Sequence, residues 1–143
     1  MKRGAALGVF CLLWLCLVAM GGLGGPSPVS VPEPSGNFAA TIVDQSGTSS
    51  RVEKFSIDGR IALSGKLGIG QVSIDFEQIN TIEFIVEQKE EKELKAKVVL
   101  TDGRPASLIV DKGLTCYGRL PYGNFTIGLE DVRSITLHGR VKD

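Results

Sequence analysis

The chain has 143 residues, of which 43% are apolar and 22% are charged, and its formal net charge is zero. This composition is typical of a folded protein and excludes wholesale disorder. Beyond Lys2 and Arg3, 14 basic residues stand against 16 acidic ones, so the rest of the chain offers nucleic acid no basic surface. The three cysteines, Cys11, Cys16 and Cys116, exclude a disulfide-stapled scaffold and match no metal-ligand spacing, because the first two lie in an apolar N-terminal run.

Residues 1–25 have the three-part organisation of an export signal: a positive start, an apolar run over residues 5–20 and small residues around Gly21. Cleavage after Gly21 or Gly24 fits this pattern. The alternative is an uncleaved anchor, since the apolar run approaches the roughly 20 residues that span a bilayer. The sequence therefore predicts an exported protein, periplasmic or extracellular, whose contact with a membrane is limited to this N-terminal segment.

Residues 26–36 form a proline-rich stretch with four prolines in nine residues. Proline lacks a backbone N–H and fixes φ, so this stretch cannot form a helix or a central strand. It is typical of an extended, semi-rigid linker.

The remainder contains an internal repeat with an offset of 53 residues. Residues 55–84 align without a gap on residues 108–137, and seven of these thirty positions are identical. Unrelated sequences of this composition would match at roughly two of thirty. The identical pairs are Asp58/Asp111, Gly65/Gly118, Leu67/Leu120, Gly70/Gly123, Ile74/Ile127, Glu77/Glu130 and Ile82/Ile135.

The apolar residues of the two copies also share one alternating phase, which predicts a shared strand structure because a one-residue slip would expose the core face. Repeat 1 covers residues 37–88 and repeat 2 covers residues 89–143. Each copy opens with a strand, at 39–44 and at 94–101. The first copy needs about three extra residues, which we place in the loop after the first strand.

Within each copy we expect tight turns, short strands and one 3₁₀ turn. In the first copy, turns are predicted at residues 58–60 and 65–70, a 3₁₀ turn at 77–80 and a final strand at 81–86. The second copy repeats this with a 3₁₀ turn at 130–133.

The stretches Gly70–Ile82 and Gly123–Ile135 resemble the last half of small SH3-like and Sm-like β-barrels, in which a 3₁₀ turn joins the last two strands. The resemblance is a spacing pattern over the repeat halves; it implies a fold and transfers no function.

We therefore expect an all-β fold in which two tandem repeats of about 50 residues form a pseudo-symmetric β-sandwich or barrel. A unit of this size has little core of its own, which favours a shared core. Two adjacent SH3-like barrels are the alternative.

No residue of the chain is predicted to be catalytic. His138, the single histidine, follows the last strand without a positioning neighbour, and Cys116 occupies a core position as a buried thiol. The duplicated Asp58/Asp111 and Glu77/Glu130 are interpreted as residues of the turns and caps of the 3₁₀ turns. No cofactor and no metal are expected.

The candidate binding residues are Tyr117, Arg119, Tyr122 and Asn124, where the second copy has gained aromatic rings and an arginine over the first. Core packing is the alternative for Tyr122. The sequence thus predicts an exported, non-enzymatic binding or assembly module of the cell envelope or extracellular space, with a protein or cell-wall component as partner. The alternatives are a glycan- or small-ligand-binding module with a site between the copies, lined by Tyr117 and Tyr122, and a small hydrolase using an aspartate or His138.

Overall fold

The computed structural model describes residues 31–87 and 91–142. The export signal at 1–25, residues 26–30 of the linker and the boundary between residues 88 and 89 lie outside these ranges. Among the described residues, no helix is long and apolar enough to cross a membrane. The ten strands are β1 (Phe38–Asp44), β2 (Ser49–Ile57), β3 (Ala62–Leu67), β4 (Gly70–Asp75), β5 (Ile79–Ile85), β6 (Glu93–Leu100), β7 (Pro105–Asp111), β8 (Thr115–Leu120), β9 (Gly123–Gly128) and β10 (Val132–Arg140).

All ten strands belong to one antiparallel sheet in the order β4-β3-β7-β6-β5-β10-β1-β2-β8-β9. The sheet curls into a half-barrel, so the all-β prediction is confirmed. The architecture is a single open sheet and not a sandwich of two sheets. The alternative of two adjacent barrels is wrong, because β3 pairs with β7 and β2 pairs with β8, which ties the two halves of the chain into one sheet.

The concave side of the sheet holds one apolar core to which all ten strands contribute. Alternation explains this directly: in β6, Leu94, Ala96 and Val98 are buried while the residues between them point outward. At the centre of the sheet, β5 and β10 pair with Ile82 opposite Ile135, and both side chains are fully buried.

Two short 3₁₀ helices, Phe76–Gln78 and Leu129–Asp131, join β4 to β5 and β9 to β10. Both begin one residue before the predicted turns, and each places its first residue in the core. Phe76 stacks on Phe55 at 5.2 Å and meets Phe38 edge-on at 5.6 Å, measured between ring centroids. These aromatic pairs fix the first 3₁₀ helix against β1 and β2.

The duplicated carboxylates have two different roles in the structure. Asp58 accepts a hydrogen bond from the Thr115 backbone N–H at 3.0 Å, and Asp111 accepts one from Gly113 at 2.7 Å, as turn residues do. The capping role predicted for Glu77 and Glu130 is wrong, since neither 3₁₀ helix has a side-chain cap. These glutamates form ion pairs instead, Glu77 with Arg140 and Glu130 with Lys112.

The β3–β4 turn is shorter than predicted. β3 continues through Gly65 to Leu67, and only Gly68 and Ile69 form the connection. Gly65 is needed in the strand for space: a Cβ there would lie 2.9 Å from the Ile109 carbonyl oxygen of β7. Two-residue connections of this kind favour glycine because they require positive φ, which is 62° at Gly68.

Candidate functional site

The four predicted binding residues lie on one hairpin, β8–β9, at one end of the sheet. Cys116 and Gly118 of β8 face the core, so the alternating residues Tyr117 and Arg119 face outward. Arg119 pairs in register with Asn124 of β9. The structure therefore brings these side chains to one outer surface, which we call the β8–β9 face.

Tyr122 occupies the tip of this hairpin and is 87% exposed. Its interpretation as a core residue is wrong, because the chain reverses at Pro121 and Tyr122 and carries the ring past the edge of the core. Tyr117, by contrast, is half-buried where β8 pairs with Ser56 of β2.

Arg119 is held by a carboxylate from the proline-rich segment. Its Nη2 lies 2.7 Å from Glu33 Oε2, while Lys54 Nζ lies 2.6 Å from Glu33 Oε1. One carboxylate thus bridges β2 and β8. The neighbouring Pro32 covers the β2–β3 turn at Gly59. A Cβ added to Gly59 would lie only 3.1 Å from the Cβ of Pro32. The described part of the linker, residues 31–36, is therefore seated on the domain and is not a simple spacer.

A bulge in β2 shapes the surface to which the Pro32–Glu33 segment binds, which we call the seat of that segment. The β2–β8 register shifts between Glu53 and Ser56, and Lys54 adopts a φ of 49° that non-glycine residues rarely adopt. The Lys54 backbone N–H then donates to Asn37 Oδ1 at 2.8 Å. The bulge turns the Lys54 side chain toward Glu33, so the ion pair depends on this irregular backbone.

The β3–β4 hairpin at the other end of the sheet was not among the predicted binding residues. Ile69 at its tip is fully exposed and Leu67 is 60% exposed. By alternation alone, both Leu67 and Ile69 belong to the apolar phase that the two copies share. The signal that marks them as surface residues is local: Ile69 lies between Gly68 and Gly70 in a turn, where an apolar side chain has no strand partner to cover it.

A cleft of about 640 Å³ lies between the β3–β4 hairpin and β7. Its charged lining residues are Arg60, Lys66, Lys92, Glu93 and Asp111. Lys66 Nζ lies 3.0 Å from Glu93 Oε1. Neither of the two tyrosines expected to line a glycan or small-ligand site lines this cleft.

Cys116 and His138 lie in different environments. Cys116 is fully buried, and burial, with the nearby Asp58 charge adding to it, raises the pKa of its thiol to about 12. The prediction of a buried thiol is confirmed. His138 is exposed, and its Nε2 lies 2.7 Å from the Thr41 hydroxyl oxygen. Over residues 31–87 and 91–142, no group of three histidine, cysteine or acidic side chains is arranged to hold a metal ion.

A family model described as an uncharacterised protein matches residues 34–140. No curated protein and no solved structure matches the chain. Because the matched residues make up well over half of the chain, it belongs to this family of uncharacterised proteins.

Proposed function

We propose that this chain is an exported, non-enzymatic binding or assembly module built from two copies of a five-strand unit. The observation that carries the binding function is the chemistry of the two sheet ends. The outermost strands, β4 and β9, each have one side without a strand neighbour in the described sheet. Each belongs to a hairpin whose tip exposes a large apolar side chain, Ile69 or Tyr122.

Such edges suit partner recognition for two physical reasons. An outer strand offers backbone N–H and C=O groups to an added strand. Exposed apolar side chains at the tips gain free energy when a partner removes them from water. The charged β8–β9 face beside Tyr122 supplies specificity through Arg119 and Asn124.

The two-copy organisation is supported by the strand order. Exchanging β1 with β6, β2 with β7, and so on up to β5 with β10, turns the strand order of the sheet into its own reverse. Turn geometry agrees with this: Gly47 donates to the Asp44 carbonyl at 3.0 Å, and Gly103 donates to the Leu100 carbonyl at 2.9 Å. The aligned residues Ile82 and Ile135 pair with each other.

The environments of Cys116 and His138 support the non-enzymatic part of the proposal. A thiol with a pKa of about 12 holds almost no thiolate at neutral pH, so Cys116 is a poor nucleophile. His138 shares a hydrogen bond with a threonine hydroxyl, whereas a general base is usually oriented by a carboxylate or carbonyl partner.

Export is supported by the N-terminal sequence pattern, with Lys2 and Arg3 before the apolar run. Cell fractionation followed by mass measurement tests it. We expect an extracytoplasmic species shorter by about 21 to 24 residues. A full-length species in the membrane fraction would show that the chain is anchored to the membrane and is not secreted.

Partner capture tests the binding function. After crosslinking in the producing cells, a tagged full-length chain is compared with Ile69→Ser, Tyr122→Ser and the double variant Tyr117→Ala with Arg119→Ala. Val99→Ser is the matched control, because Val99 is an exposed apolar residue on the interior strand β6. We expect the tip or face variants to lose captured species that the control retains. Equal capture by all variants would exclude these surfaces.

A further inference from the structure

The cleft beside β7 and the seat of the Pro32–Glu33 segment occupy corresponding places in the proposed two-copy arrangement. On the 53-residue offset, Arg119 of β8 corresponds to Lys66 of β3, and Gly59 corresponds to Lys112. Arg119 lies in register with Glu53 of β2. Lys66 lies in register with Ile109 of β7, which follows Leu108 as Glu53 follows Val52; Val52 and Leu108 have equivalent partners in β1 and β6, Ala40 and Ala96. In one half this place is covered by the chain's own extended segment; in the other half the described residues leave a cleft.

The difference has a local cause. In the covered half, Asp58 closes the end of the strand pair: its N–H donates to the Thr115 carbonyl at 2.8 Å, and its carboxylate accepts the Thr115 N–H. In the other half, β3 and β7 pair only at Lys66 and Ile109, and the Asp111 carboxylate turns to Gly113 instead. The two strands therefore diverge beyond this pair, and the cleft opens between them.

The residues that lead into the first strand of each half also differ. Before β1, an extended proline-rich segment lies across β2 and β8 through Pro32 and Glu33. Before β6, the chain arrives from its hairpin partner β5, and the described residues of this connection, 86, 87, 91 and 92, include no corresponding extended segment. Within residues 31–87 and 91–142, no extended segment of the chain covers the cleft.

The charges of the cleft suit an acidic segment like the one that contains Glu33. Arg60, Lys66 and Lys92 bring three positive charges against the two negative charges of Glu93 and Asp111. Val72, Val110 and Leu114 add apolar surface. Glu33 shows what such a place accepts in the covered half, a carboxylate next to proline that pairs with the cation at the corresponding position.

From this correspondence we propose that the cleft between the β3–β4 hairpin and β7 binds an extended, proline-containing acidic peptide segment of a partner protein, with Lys66 pairing with its carboxylate. The inference rests on the proposed binding function and names the class of partner. The volume of about 640 Å³ lies within the range of sites that take short segments or small ligands.

The test uses a fluorescent, end-blocked peptide with the sequence of residues 29–36, Val-Ser-Val-Pro-Glu-Pro-Ser-Gly, and the full ¹⁵N-labelled chain. The tethered native segment has a high effective concentration at its own seat, so free peptide is directed to the open cleft. We expect saturable binding, with amide shifts at Ser64, Lys66 and Val110. Replacing the peptide's glutamate by glutamine should weaken binding roughly two- to fivefold.

Three variants locate the contact. Lys66→Glu should weaken peptide binding at least as much as the glutamine peptide, and Ser73→Trp should abolish it by filling the cleft, which Ser73 lines. Lys97→Glu is the matched control, an exposed strand lysine outside the cleft, and should bind as the parent does. Absence of saturable binding, binding unaffected by both cleft variants, or shifts confined to Lys54 and Arg119 would each overturn the proposal. If the peptide fails while capture through the hairpin tips persists, only the cleft is excluded and the binding function stands.

Discussion

Ile82 of β5 and Ile135 of β10 lie directly opposite each other at the centre of the sheet, and both are fully buried. They are also aligned positions of the two proposed copies. Each residue therefore serves as the other's packing partner, which places the junction of the proposed copies inside the core. Two units joined in this way share one core, because a single unit would leave its central isoleucine uncovered.

The isoleucine pair gives a stability prediction. Ile82→Ala and Ile135→Ala should each lower the free energy of unfolding by about 2 to 4 kcal/mol, since each leaves a cavity in a closed core. The double variant should be non-additive because the two side chains are neighbours. Urea unfolding followed by circular dichroism measures this. Strictly additive or very unequal losses would argue against a shared central contact, and Thr81→Ala beside Ile82 is the control.

Two glycines are predicted to be essential for close strand approach. A Cβ at Gly118 would lie 2.7 Å from Val52 Cγ2, and one at Gly65 would lie 2.9 Å from the Ile109 carbonyl oxygen. Gly65→Ala and Gly118→Ala should each destabilise the fold by about 1 to 3 kcal/mol. Gly123→Ala is the control, since nothing lies within 4 Å of a Cβ at that position. Thermal unfolding of the three variants decides the matter, and neutral behaviour of both strand glycines would contradict the observed sheet.

The buried thiol gives a pH dependence. Burial raises the pKa of Cys116 from 9.0 to about 12, so the folded state keeps the proton that the unfolded state releases. The stabilisation is fully present below about pH 9 and is lost as the pH rises from about 9 to 12. Comparing the unfolding free energy of the parent chain with that of Cys116→Ala across this window isolates the effect from lysine and tyrosine titration. Identical pH profiles would show that the thiol is not protected.

Alkylation provides an independent check of the same residue. Iodoacetamide at pH 8 should leave Cys116 unmodified in the folded chain and modify it in urea, as read from peptide mass mapping. Modification at equal rates in both states would contradict its burial.

The Glu33 bridge predicts that the proline-rich segment is fastened to the domain by charge. Glu33→Gln should cost less than about 1 kcal/mol of stability, because all three side chains are partly exposed and surface ion pairs contribute little. The same variant should increase hydrogen exchange at the Lys54 amide, which depends on the bulge beneath the segment. Ser35→Ala serves as the control within the segment. Unchanged exchange in Glu33→Gln would mean that Pro32 and Asn37 hold the segment without the charge.

The sequence predicts the positions of the strands along the chain better than it predicts which strands pair in the sheet. Turn residues and alternation located β1, β5, β6 and both 3₁₀ helices to within two residues, as at Phe76–Gln78. The pairing of β2 with β8 and β3 with β7 was not predictable, because alternation gives a strand its core face but not its neighbour.

The position of the three extra residues in the first copy shows the same limit. We placed them in the loop after β1, but that loop and its counterpart after β6 have the same hydrogen-bonded turn. The pairs Ala40 with Val52 and Ala96 with Leu108 keep one spacing on both sides. The register then shifts within β2 at Lys54. A bulge absorbs extra residues without breaking the apolar pattern around it, so the sequence carried no signal for it.

The candidate site was predicted in part. The sequence placed Tyr117, Arg119, Tyr122 and Asn124 on one hairpin correctly, because all four lie around a turn at Pro121. It did not predict that Arg119 binds Glu33, since 86 residues separate the two and only the fold brings them together. The exposed Ile69 was missed because a hydrophobic residue in phase with a strand looks the same as a core residue until the strand ends.

Site-specific photocrosslinking in living cells tests whether a partner binds at the end of the sheet. A photoreactive phenylalanine analogue replaces Tyr122 at the hairpin tip or Val99 on the interior strand β6, the two being exposed apolar positions on the same sheet. We expect a discrete crosslinked species from position 122 that is absent from position 99. No crosslinked species from position 122, or the same species from both positions, would contradict a binding module that acts through the ends of its sheet.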